Sequence, residues 1–123
     1  MQSTISAAAF GAVLFCCGSP AVAGDCRVNP FRFFPAQNDS VATTAVLTGK
    51  ACIHQFRAGD RVHFTSASIA SRPANGTLEE GSLRFRYTPK PGFKGTDRYS
   101  VKVCGTAPSG SGCSTITYTV AVN

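Results

Sequence analysis

The chain has 123 residues, a formal net charge of +6 and six cysteines, and it lacks tryptophan. That length allows one domain. The positive balance points towards acidic partners, and the short pieces left between prolines and glycines exclude a helical fold and with it a recognition helix for nucleic acid.

Ile5 to Cys17 is apolar and small, and Ala21-Val22-Ala23 supplies a small-x-small pattern before Gly24. This is the pattern of a secretory signal peptide cleaved after Ala23, although no Lys or Arg precedes the apolar run. The run is too short, and too broken by Ser and Gly, to serve as a stable membrane span. Neither Cys17 nor Cys26 follows a lipoprotein box. The expected organisation is a signal peptide over residues 1–23, an N-terminal segment over 24–50 and a core over 51–123, with 24–123 forming one domain. The expected location is the periplasm or the outside of the cell. Cleavage discards Cys16 and Cys17, and an even set of four cysteines in a small exported chain argues for two disulfides.

In chain order, Ser40 to Thr48 is β-branched enough for an edge strand. Ala51 to Phe56 and Val62 to about Ile69 read as strands, and Asn75-Gly76 and Glu80-Gly81 mark turns. Leu83 to Tyr87 alternates strictly, with Arg84 and Arg86 at the even positions. Tyr99, Val101 and Val103 alternate with Arg98, Ser100 and Lys102. Ile116, Tyr118, Val120 and Val122 alternate with Thr115, Thr117, Thr119 and Ala121. Each run has the period of a strand with one buried and one wet face.

The last two runs can be tested against each other. Pairing Cys104 with Cys113 places Val101 opposite Ile116 and Tyr99 opposite Tyr118, inward facing inward. The same register sets Lys102, Ser100 and Arg98 opposite Thr115, Thr117 and Thr119, and puts both cysteines on the outward parity that a cross-strand bridge needs. The bridge would staple a floppy Gly/Ser tip. Cys26–Cys52 then follows by elimination.

Three short motifs carry a family resemblance: Arg72-Pro73-Ala74-Asn75-Gly76-Thr77-Leu78, then Phe85-Arg86-Tyr87-Thr88-Pro89, then Gly92-Phe93-Lys94-Gly95-Thr96-Asp97-Arg98-Tyr99. In order and spacing the chain from about Val62 to Val122 resembles the bacterial cadherin-like and immunoglobulin-like repeats of surface adhesins. The resemblance implies an all-β, antiparallel immunoglobulin-like (cadherin-like) sandwich of about seven strands; the single copy and the two disulfides depart from the common tandem repeats, so a free-standing relative is expected. Within it Pro89 and Pro91 would stop the strand after Tyr87. Gly92 and Gly95 would take positive φ where the chain turns back, Phe93 would plug the end of the sandwich, and Asp97 would accept backbone N–H bonds in the turn. The rival pairing Cys52–Cys104, the inter-sheet bridge of antibody domains, lacks its usual Trp and gives Cys104 the wrong parity, so it is disfavoured. The acids show no Asp-x-Asp spacing, so calcium is not expected.

Functionally the chain reads as a non-enzymatic binding or structural module without a cofactor or metal. The candidate ligand face gathers Arg98, Ser100, Lys102, Thr115, Thr117 and Thr119, with His63 at its flank. Cations and hydroxyls in that pattern suit an anionic glycan of the cell envelope; an unknown protein is the other partner class, and nucleic acid and a membrane span are excluded. Two alternatives stand beside this reading. One is a secreted enzyme inhibitor presenting the segment between Cys104 and Cys113. The other is a metal-dependent enzyme using His54 and His63, with Asp60 between them, across a turn at Ala58-Gly59. Phe31, Phe33 and Phe34 could pack inward or form a partner-binding patch.

Overall fold

The computed structural model describes residues 25–123 apart from 58 and 60. The leader reading over 1–23, with Cys16 and Cys17, and the placement of Ala58 and Asp60 lie outside the described residues. Among the described residues eight strands follow in order: β1 Cys26–Val28, β2 Ser40–Leu47, β3 Cys52–Gln55, β4 His63–Ser71, β5 Gly76–Gly81, β6 Arg84–Pro89, β7 Gly95–Ala107 and β8 Gly110–Val122, with a 3-10 turn over Pro35–Gln37. They form a five-stranded sheet in the order β1-β2-β8-β7-β4 and a three-stranded sheet in the order β3-β6-β5. Every pairing is antiparallel except β2 with β8, which run parallel. The expected sandwich is therefore present, with its strands at 84–89 and 95–107 in opposite sheets. No helix among the described residues is long and apolar enough to cross a membrane.

Alternation builds the core. Tyr99, Val101 and Val103 of β7 and Ile116, Tyr118 and Val120 of β8 are buried to 1% exposure or less, facing Phe85 and Tyr87 of β6 and Cys52 of β3. The β7–β8 register matches the expected one throughout, with Cys104 opposite Cys113, Tyr99 opposite Tyr118 and Val101 opposite Ile116. Among the described residues the disulfides are Cys104–Cys113 and Cys26–Cys52. The second joins β1 of the larger sheet to β3 of the smaller one, tying the two layers together.

Several local expectations are corrected. Glu80-Gly81 does not turn: Gly76–Gly81 is a strand, and the hairpin reverses at Ser82-Leu83. Leu83, expected to begin a strand, sits in that turn at φ 53. Its carbonyl accepts the Phe56 N–H (2.9 Å) and its side chain packs on the core, which holds a conformation that non-glycine residues disfavour. β6 does not stop after Tyr87 but continues to Pro89, paired with Gly76. A side chain at Gly76 would approach the Thr88 carbonyl to 2.6 Å, so glycine is required there.

The segment after Cys104 is not a floppy tip either. It is paired strand as far as Ala107 opposite Gly110, leaving only Pro108-Ser109 as the turn. Residues before β2 hold it down: Asn38 Oδ1 accepts the Cys113 N–H (3.0 Å), and Asp39 accepts both the Ser114 hydroxyl and the Phe34 N–H. β2 itself stands one place in from the edge, with the short β1 covering its C-terminal end.

The corner between β6 and β7 is shaped by its glycines and fastened by Asp97. Gly92 and Gly95 have φ 81 and 138, and Phe93 packs against the core. Asp97 reaches further than its own turn. Its carboxylate, 4% exposed, accepts the N–H groups of Ala74, Asn75 and Arg98 and the hydroxyl of Tyr87 at 2.8 to 3.0 Å. It thereby fastens the bend before β5 to the start of β7, and a buried carboxylate with four donors is well satisfied.

Candidate functional site

The outer face of the five-stranded sheet brings together most of the residues singled out for binding. Arg98, Ser100 and Lys102 of β7 stand opposite Thr119, Thr117 and Thr115 of β8. Arg98 and Lys102 are exposed and the three threonines half-buried. Ser100 departs from expectation. It is only 7% exposed, and its hydroxyl is hydrogen-bonded to that of Ser71, so it ties β4 to β7 instead of offering itself outward. His63 has the parity of Lys102 but lies opposite Thr106, four residues further along β7 and beyond the disulfide. That is roughly 13 Å from Lys102, at the margin of the face.

Pairing adds residues that the sequence reading did not include. Ser66 and Ser68 of β4 lie opposite Cys104 and Lys102 and are exposed. On the other flank, the parallel pairing of β2 sets Ser40, Ala42 and Thr44 beside Thr115, Thr117 and Thr119. The Ser66-x-Ser68 alternation was a visible signal. The β2 contribution was not, because parallel pairing of distant segments leaves no local trace. The result is two cations with hydroxyl-bearing strands on both sides, and no acid at any outward position of β2, β4, β7 or β8. Such a surface attracts an anion by charge and can donate to and accept from a polyol.

Arg84 and Arg86 project from the other sheet, where Glu79 stands opposite Arg86. The cations are thus divided between the outer faces of the two sheets.

The two histidines do not meet. His54 faces the interior from β3, 5% exposed, while His63 is exposed at the rim of the other sheet. His54 stacks on Tyr118 with ring centroids 4.0 Å apart, and its Nε2 lies 2.6 Å from the Tyr99 hydroxyl. Burial pushes its pKa down to about 4, so the ring is neutral at pH 7. Burial likewise pushes the phenols of Tyr99, Tyr118 and Tyr87 up, the last with help from its bond to Asp97. Tyr87 and Tyr99 stack at 4.8 Å. His54 is therefore a core histidine whose ring nitrogen is paired with the Tyr99 hydroxyl, while Tyr87, stacked on Tyr99, is bonded separately to Asp97. Among the described residues no group of three His, Cys, Asp or Glu side chains could hold a metal ion.

The phenylalanines divide. Phe31 meets Tyr118 edge-on at 5.9 Å, and Phe33 stacks on Phe64 at 5.6 Å and meets Phe56 edge-on at 5.6 Å, so both close the core. Phe34 is 47% exposed. Together with Val62 and Phe64 these rings line an open groove of about 540 Å³ flanked by Arg32 and Arg61.

A family model described as a bacterial Ig domain matches residues 29–122. Among curated proteins, integrin beta-like protein E of Dictyostelium discoideum is 41% identical over 66 residues, 44% of this chain and 3% of that protein. The chain thus spans a small fraction of that relative's length. Among solved structures, a sialyltransferase from Photobacterium damsela aligns with 68% of this chain and 18% of its own, at 16% identity and a TM-score of 0.40.

Proposed function

This chain belongs to the bacterial Ig domain family, and we propose that it is an exported, non-catalytic binding module that holds an anionic glycan of the cell envelope on the outer face of its five-stranded sheet. The observation that carries this reading is the register of β7 and β8. It aligns Arg98 and Lys102 with a row of three threonines on a face that bears no acid. The signal-like leader and the two disulfides support export into an oxidising compartment. Exposed cations contribute modestly in water, so binding is weak per site and salt-sensitive.

The test uses oxidised protein from residue 24 onward with one anionic and one neutral polysaccharide across a salt series. Binding should favour the anionic polymer and fade as salt rises. Arg98→Glu with Lys102→Glu should reduce it at least tenfold at low salt while leaving the unfolding temperature in place. Undiminished polyanion binding by that double variant removes the reading.

A further inference from the structure

At the end of the sandwich away from the Pro108-Ser109 turn, three segments distant in sequence converge: Gly49-Lys50 after β2, the corner Lys90–Lys94 between β6 and β7, and the end of β8. They enclose a cavity of about 460 Å³ lined by Lys50, Arg86, Lys90 and Lys94, with Thr88 and Phe93. Three of the chain's four lysines thus line one concavity. None of its lining side chains is acidic. Two side-chain carboxylates lie beside the lining: Glu79, opposite Arg86 in the smaller sheet, and Asp25, which lies against Gly49, where an added side chain would meet it at 2.1 Å.

The concavity is preformed. The Phe93 N–H donates to the Lys90 carbonyl (3.0 Å), the Lys90 N–H to Asn75 (2.9 Å) and the Asn123 N–H to Leu47 (3.0 Å). All four cationic side chains are exposed, so the core does not require a cation at any of them. Gathering like charges costs mutual repulsion, which a bound oxyanion relieves.

We propose that this end cavity is a binding site for a phosphate or sulfate group carried on a carbohydrate chain. The lysines and Arg86 take the oxyanion, Thr88 offers a hydroxyl, and the half-buried Phe93 provides an apolar floor for the sugar ring. The volume falls in the range of small-molecule sites, larger than a lone ion needs. A bilayer is disfavoured as the partner, because the exposed large apolar side chains among the described residues, Phe34, Val46 and Ile53, all lie elsewhere. Arg98 and Lys102 stand roughly 13 Å apart along β7, and Lys94 lies in the corner directly before that strand, so one chain can run from the face into the cavity. The inference rests on the anionic-glycan reading and adds to it the site that reads the charge.

The experiment follows backbone amides by NMR while wild-type protein, Lys90→Gln/Lys94→Gln and Arg98→Glu/Lys102→Glu are titrated with dextran sulfate, neutral dextran, inorganic sulfate and phosphatidylglycerol vesicles. Dextran sulfate should shift the amides of Lys50, Gly92 to Lys94 and Asn123 saturably. Each exposed cation at roughly 5 Å from an anion is worth about a fourfold factor in water, so the Lys90/Lys94 variant should bind about fifteenfold more weakly at low salt, with its fold intact. Dextran sulfate binding that spares the corner amides and ignores Lys90→Gln/Lys94→Gln overturns the cavity while leaving the face reading standing. Corner shifts with inorganic sulfate but no polymer binding overturn the glycan assignment and the face reading together. A response to the vesicles alone overturns it in favour of a lipid phosphate.

Discussion

Protonation of His54 should be the principal acid weakness of this fold that a single side chain controls. The ring is buried between Tyr118 and Tyr99, and in the native state its pKa falls from the ordinary 6.5 to about 4. The depressed value means that the unfolded chain takes up the proton first. The stabilising effect is complete above pH 6.5, declines through the window from 6.5 to about 4 and is gone below it. The gap corresponds to about 3 kcal/mol, a large part of the ~5–15 kcal/mol that holds a domain folded. The assay is urea unfolding of the oxidised protein at steps from pH 7.5 to 4, read by tyrosine fluorescence, since the chain has no Trp. His63→Gln serves as the background, leaving His54 as the one histidine, and His54→Gln in that background keeps a polar side chain without the titration. The carboxylates, common to both proteins, cancel in the difference. The background protein should lose about 3 kcal/mol more over that range than the His54→Gln variant does. Parallel stability curves, or a His54 ring that titrates near 6.5 by NMR, would refute the argument.

Replacing Asp97 by Asn keeps its shape but turns one acceptor into a donor facing N–H groups, so a loss of about 3 kcal/mol in denaturant unfolding is expected. Removing Cys104–Cys113 as a Ser pair should cost about 2.5 kcal/mol and removing Cys26–Cys52 about 3.5 kcal/mol, following their separations of 9 and 26 residues; an equal or reversed order by chemical denaturation would contradict the loop-entropy account. Gly76→Ala, which pushes a methyl into the Thr88 carbonyl and the Tyr87 ring, should lower stability by more than about 2 kcal/mol. Gly92→Ala, at φ 81 in open space, should cost about 1 kcal/mol by the same assay.

How much could be read from the chain depended on whether the physics was local. The β7–β8 hairpin was legible because alternation and cysteine parity constrain the same register independently. The glycines of the corner were legible because a turn needs positive φ. β5 was not, since Glu79-Glu80-Gly81 resembles a solvated turn and its one buried side chain, Leu78, leaves no alternation to see. Two of the partners of Asp97, Asn75 and Ala74, lie 22 and 23 residues upstream, and only the packed corner shows that it fastens the bend before β5. His54 was ambiguous for a related reason: a histidine in a short strand has no sequence mark telling whether its neighbours are ligands or tyrosines.

The same division between inward and outward positions governs what the proposed binding surface can tolerate. Along β7 the odd positions from Asp97 to Gly105 are buried and carry the tyrosine, valine and carboxylate contacts, while Arg98 and Lys102 at even positions touch water. Lys90 and Lys94 are exposed in the same way, in a corner whose conformation is set by Gly92, Gly95 and backbone hydrogen bonds. Exchanging these cations therefore changes the field outside the sandwich with little effect on its stability, within about 0.5 kcal/mol per position. Binding and stability should separate cleanly: variants at 90, 94, 98 and 102 alter polyanion affinity at constant unfolding midpoint, and variants at 54, 76 and 97 move the midpoint. A charge exchange at Arg98 or Lys102 that unfolds the protein would mean that the outer face is part of the scaffold, as Ser100 already is through Ser71.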